Sequence, residues 1–198
     1  MNTLELQIPD VNERILTING VIDEQMAHNF VTELTKIDTM DLEITRSNAA
    51  KIAALGIEAD QMLLPPIRVL MNSPGGYIYD ALAIYDMLED RSDMVCFCSG
   101  KVMSAATFIL LAFPFEKRVA TKNTTFMIHQ PSSWAVGKLK DIEEDAKELR
   151  RLHKLITDIY LKRSKLTKEI LNKNFNEKED WYFTAKDALK YGLISKII

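Results

Sequence analysis

Cysteine is scarce: Cys96 and Cys98 are the only two in 198 residues, too few for a disulfide framework. They stand two apart in the apolar run MVCFCS, where a strand turns both to one face, and a C-x-C pair alone lacks the remaining ligands of a metal site. Two reduced core thiols are expected. Long hydrophobic stretches are missing as well. The longest uncharged run, residues 102–115, falls short of the roughly 20 residues that span a bilayer and reads as core. The opening MNTLELQIPDVNERI has no basic segment followed by an apolar one, so no signal peptide and a cytoplasmic location are expected. Positive charge is not in excess: 25 Lys and Arg against 28 Asp and Glu leave −3, without the basic face that nucleic acid requires. With seven Gly, six Pro, no Gly/Ser linker and no internal repeat, nothing divides the chain. What is present, 47% hydrophobic and 27% charged residues, describes a single globular domain over 1–198 with enough apolar side chains for a full core.

The hydrophobic pattern alternates between strand and helix. Residues 14–18 (RILTI) read as a strand that turns at Asn19 and Gly20, and residues 23–34 as a helix. Residues 67–71 (IRVLM) read as a second strand, closed by the breaker NSPGG at 72–76. A helix at 81–88 and a third strand at 94–99 follow. This order predicts βαβ units and a parallel sheet covered on both faces. From Leu139 to Tyr160, apolar positions recur at three- and four-residue steps among many charges, the mark of a long amphipathic helix. Thr184 with Asp187 forms a capping-box pattern, Gly192 suits a helix C-terminus, and residues 193–198 read as a last strand. Residues 39–61 carry a small helical pattern of their own, with Ser47 as cap and Gly56 as stop, and read as an insertion between a helix and a strand.

Four short segments could carry chemistry. Ser104 follows a strand and the glycine turn at Gly100, at the start of the apolar helix AATFILLAF. Unpaired amides at a helix start suit an oxyanion, but a serine there is also a common helix cap, and the pattern alone leaves both open. His129 ends the strand-like run at 126–128, a place where α/β folds gather their sites; a structural histidine fits it too. His28 and His153 lie among charged helical residues and read as surface or boundary positions. Asp180 precedes the aromatic patch Trp181, Tyr182, Phe183, which could partly desolvate its carboxylate; a solvated loop acid fits it too. The paired glycines of 72–76 let a backbone approach a ligand closely. Together these supply a nucleophile, a base, an acid and amide donors, the inventory for acyl transfer.

NSPGG at 72–76, IYD at 84–86, G-x-x-x-S at 100–104, MIHQP at 127–131, DWYFTA at 180–185 and YGLISKII at 191–198 resemble the Clp-type serine peptidases, the proteolytic subunits of Clp protease. The resemblance implies an α/β crotonase-like fold with repeated ββα units and a long protruding handle helix, the handle region falling on 132–166. It places the family's nucleophile on Ser104, its general base on His129 and its orienting acid on Asp180. The oxyanion-hole amides fall on Gly76 and Ala105, and the backbone positions that pair with an extended peptide substrate on Ile78 and Ser132. It implies no metal and no cofactor. It implies a homo-oligomer of two stacked heptameric rings, a tetradecamer, degrading unfolded proteins or peptides inside the compartment.

Three departures from the family pattern bear on partners. Only twelve residues precede Glu13, fewer than the family's axial segment, and 39–61 lengthens the connection after the first helix; both weigh against the usual ATP-driven unfoldase partner. Lys178 and Glu179 reverse the acidic-then-Arg order that forms ion pairs between rings in the family. The expected activity is serine-type endopeptidase. A CoA-thioester hydratase or isomerase of the same fold and a catalytically silent ring subunit are the alternatives. No nucleic acid or membrane partner is expected.

Overall fold

The computed structural model describes residues 6–54, 64–89, 91–132, 136–177 and 180–198. Three long strands, β1 (Ile15–Ile22), β2 (Ile67–Gly76) and β3 (Met94–Met103), pair in parallel in that order, each followed by a helix: α1 (Glu24–Ala54), α2 (Ile78–Leu88) and α3 (Ala105–Leu110). The sheet then forks. The first half of β3 pairs with β4 (Arg118–Ala120), and its second half with β5 (Thr125–His129). Helices α4 (Leu139–Arg163) and α5 (Lys168–Glu177) lead to β6 (Asp180–Thr184), antiparallel to β5. Helix α6 (Ala185–Lys190) and β7 (Lys196–Ile197), which pairs with β4, end the fold. Among the described residues no helix is long and apolar enough to cross a membrane.

The breakers read as strand ends are bends within strands. Register shifts fall between Asn19 and Val21 in β1 and between Met71 and Ser73 in β2, and Gly20 and Gly100 take positive φ of 93° and 63°. A bulge absorbs a residue and turns the strand without ending the pairing. The Asn72 side chain ties the bends together, donating to Asn19 Oδ1 at 3.1 Å and accepting from the Lys101 amide at 3.2 Å. Each strand therefore acts in two segments before its helix, and the second segments carry the chain on to the site.

Burial alternates along the strands. Leu16, Ile18, Ile67, Val69, Met71, Met94, Cys96 and Cys98 point into the core beneath α1 and α2, while Thr17, Asn19, Val21 and Leu70 are exposed. The helices thus cover one face of these strands, not both as the βαβ pattern suggests. Cys96 and Cys98 are free, buried and on that core face, with sulfurs 3.9 Å apart.

Helix α1 corrects the cap read at Ser47 within the 39–61 segment. Residues 39–54 are the continuous second half of one 31-residue helix, and Ser47 lies inside it, not at a cap. Neither Gly nor Pro interrupts residues 24–54, and the Thr39 hydroxyl is satisfied within the helix by Thr35 O at 2.8 Å. Residues 55–61, with Gly56, lie outside the described residues. Apolar burial on α1 stops at Ile37; beyond it polar bonds hold the helix. Arg91 forks onto Asp38, Arg14 pairs with Asp41, and buried Asn48 both accepts from the Gln7 amide (2.9 Å) and donates to Gln7 O (2.7 Å).

Buried Arg118 locks the far end of the site helix. Its guanidinium donates to Phe113 O, Leu111 O and Arg163 O, and Arg163 donates to Leu111 O and Ala112 O. These cations satisfy carbonyls of the turn that follows α3. Burial first, and then neighbouring Arg163, push Arg118 down to about 10, so it still carries its charge at neutral pH.

Candidate active site

Ser104 stands between β3 and α3 with φ 51° and ψ −124°, the one non-glycine positive φ among the described residues. Such a conformation costs on the order of 1–3 kcal/mol and persists only where its surroundings impose it. Here the Ser104 amide donates to Met127 O of β5 at 2.8 Å, and the Ser104 carbonyl accepts from the Thr107 amide at 2.9 Å. At the N-cap position of α3 its side chain makes no capping bond. The hydroxyl lies instead 2.7 Å from His129 Nε2.

The bond to Met127 O explains that meeting, because it pins Ser104 beside β5 two residues before His129. The antiparallel ladder then sets His129 directly opposite Asp180, the first residue of β6. The His129 Nδ1 to Asp180 Oδ1 separation is 3.4 Å, looser than a hydrogen bond of ordinary length, as is common in sites without substrate. Asp180 is thus a strand residue in register with the histidine, not a loop acid. Its side chain remains 44% exposed and the histidine's 27%, so the site opens to solvent on this side.

Glycine keeps the space beside the hydroxyl open. A Cβ on Gly75, whose φ is 92°, would lie 2.6 Å from Ser104 Cβ, 2.7 Å from Met103 O and 2.9 Å from the Ala105 nitrogen. Ala105 is the first residue of α3, where an amide has no partner within its helix. The Tyr77 amide donates to Ile22 O on β1 at 2.8 Å; successive amides of an extended chain face opposite edges, so the Gly76 N–H faces away from β1. A Cβ on Gly76 would strike Ile22 O at 2.0 Å, so this glycine also permits the β1–β2 approach.

A small cleft beside the hydroxyl is lined by Ile78, Phe108, His129, Pro131, Ile156 and Tyr160. Ile78 thus adjoins Ser104. Ser132 is exposed, three residues past His129, and Pro131 rather than Ser132 lines the cleft. His28 is exposed, and His153 is half-buried, edge-on to Phe175 with ring centroids 5.5 Å apart. Among the described residues no cluster of three or more His, Cys, Asp or Glu is placed to hold a metal. Sequence reasoning missed Thr107 and Tyr160. Tyr160 did register as an apolar position of the long helix, but nothing in a helical pattern tells which neighbour a tyrosine hydroxyl meets.

Comparison with known proteins places the chain in a family. A family model described as Clp protease matches residues 40–198. The chain is 31% identical over 189 residues to the ATP-dependent Clp protease proteolytic subunit of Deinococcus radiodurans, spanning 95% of this chain and 81% of that protein. It is 33% identical over 189 residues to the protein of the same name from Borreliella afzelii, spanning 95% and 84%. The chain belongs to the Clp protease family.

Proposed function

We propose that the chain is a serine endopeptidase with Ser104 as nucleophile, His129 as general base and Asp180 as the acid that orients it. The observation that carries this reading is the Ser104 hydroxyl, held by a strained backbone 2.7 Å from His129 Nε2 and not spent on its helix. Ser104 Oγ attacks the substrate carbonyl carbon as Nε2 takes its proton. The carbonyl oxygen becomes an oxyanion that the amides of Gly76 and Ala105 receive. The imidazolium, steadied through Nδ1–H by Asp180, gives its proton to the departing amine nitrogen, and the C–N bond breaks. Water, activated by the same histidine, then hydrolyses the acyl ester and frees Ser104.

Unfolded proteins and peptides are the substrate class. An extended peptide lies between the backbone at Ile78 and at Ser132 as an added strand, gaining affinity from main-chain bonds with little demand on sequence. The assembly is a homo-oligomer of two stacked heptameric rings in the cytoplasm, with the solvent-exposed start of α4 serving as the handle between rings. Lys178 and Glu179, which would meet their symmetry mates there, lie outside the described residues. The relatives' names carry ATP dependence; the chemistry above uses no nucleotide, so ATP would act through a separate unfoldase. Hydrolysis of a short fluorogenic peptide without ATP, with native mass spectrometry of the same sample, tests the reading. Turnover by a particle of fourteen chains is expected. An inert wild-type protein that instead hydrates an enoyl-CoA would overturn it.

A further inference from the structure

Beyond the three residues already assigned, two hydroxyls connect the nucleophile's backbone to helix α4. Thr107, in the first turn of α3, is fully buried, and Tyr160, near the end of α4, is 2% exposed. Thr107 Oγ1 donates to the Ser104 carbonyl oxygen at 2.6 Å, alongside the bond from the Thr107 amide. The same Oγ1 is hydrogen-bonded to Tyr160 Oη. A threonine hydroxyl has one proton, and here it is spent on Ser104 O, so Tyr160 must donate and Thr107 accept. Burial pushes the Tyr160 phenol well above its ordinary range, which keeps that proton in place.

We infer that Tyr160 and Thr107 form a hydroxyl relay that aims the Ala105 amide at the oxyanion position. Peptide planarity makes the connection. The Ser104 C=O and the Ala105 N–H belong to one trans peptide, so they point in opposite directions across a rigid plane. Two donors that grip the carbonyl oxygen from inside the core therefore fix the amide's direction on the other side, where Gly75 leaves space beside Ser104 Cβ. Ser104 sits in a sparsely populated backbone conformation, so its peptide planes would relax without such restraint. Ordinary core packing would demand only the aromatic ring of Tyr160 and the volume of Thr107. The relay demands their oxygens. Both are positioning residues: they act through the peptide plane and touch neither the attacking nor the leaving atom.

The inference rests on the serine-peptidase reading, and its test separates the two. Tyr160→Phe keeps the ring, Thr107→Val keeps the volume, and Thr107→Ser keeps the hydroxyl. Each is assayed for kcat and KM on a short fluorogenic peptide, for the rate of labelling by a fluorophosphonate, and for melting temperature. Tyr160→Phe and Thr107→Val are expected to lower kcat and the labelling rate about 10-fold, a fraction of the 10²–10³-fold lost when an oxyanion donor is deleted. KM should stay within about twofold, Thr107→Ser should restore the wild-type rates, and the double variant should be no slower than Thr107→Val, since both cut one chain. Wild-type kcat in Tyr160→Phe, or a Thr107→Ser variant as slow as Thr107→Val, overturns the relay while leaving the peptidase reading intact. A wild-type protein that neither hydrolyses peptide nor takes the label removes both. Where Thr107→Val does not fold, Tyr160→Phe decides alone.

Discussion

Helices α3 and α6 each last six residues, each leaves a strand directly, and each is preceded by a hydroxyl residue, Ser104 and Thr184. Thr184 takes ordinary extended angles, φ −85° and ψ 169°; its hydroxyl accepts from the Asp187 amide, and Asp187 reaches back to the Thr184 amide. Ser104 occupies the same position at φ 51° and ψ −124° with no capping bond, and its hydroxyl turns to His129. One helix keeps the hydroxyl for itself and gains stability. The other forgoes the cap, accepts backbone strain, and leaves the oxygen free for chemistry.

Ser104→Ala should break this contrast most severely. Peptide hydrolysis should fall by about six orders of magnitude, as when the nucleophile of a serine protease is deleted. Because no cap is lost, chemical denaturation should show a stability within about 0.5 kcal/mol of wild type. Asp180→Asn should lower kcat by up to about 10⁴-fold through loss of the correct imidazole tautomer, measured under saturating peptide. Gly75→Ala should come next. Its new Cβ has to displace Ser104 or the Met103 carbonyl and take a positive φ, so kcat should drop about 10²-fold and stability by more than about 1 kcal/mol.

Thr184→Ala inverts the Ser104 result: about 1 kcal/mol of stability lost in denaturant titration, with kcat unchanged. The smallest effect concerns pH. Bonds from the Thr184 hydroxyl and amide hold Asp187 below its ordinary 3.8. A carboxylate whose folded pKa is lowered adds stability that is present above its unfolded pKa and lost as pH falls through the folded one. The melting-temperature gap between wild type and Asp187→Asn should therefore be constant above about pH 5 and close below pH 3.8.

The contrast also explains what was legible in the sequence. The Thr184 capping box and the start of α4 at Leu139 follow local rules, and the structure has both. Gly192, with φ 72° just past α6, does likewise. Ser104 obeys the same local rule on paper, and only tertiary bonds, from its amide to Met127 O and between its hydroxyl and His129, hold it away from a cap. Its place after a strand and a glycine turn makes it a candidate, and motif resemblance, not periodicity, chooses between nucleophile and cap. Glycine signals misled for a related reason. Gly20 and Gly100 permit positive φ, which local patterning reads as a turn, whereas pairing with neighbouring strands makes each a bend. The solvated loop acid stays open for Asp180 in the sequence because its strand exists through pairing with β5. At Thr39 and Ser47 the error runs the other way: polar residues suggest a break, but no Gly or Pro interrupts residues 24–54, and α1 runs through both.

The Ser104 hydroxyl, not spent on a cap and held at His129, should be the group that a fluorophosphonate modifies, and mass spectrometry of the treated protein reads this out. One adduct per chain, on the peptide containing Ser104 and absent from Ser104→Ala and strongly slowed in His129→Ala, is the predicted result. Labelling that persists in Ser104→Ala, or none in the wild type, would contradict it.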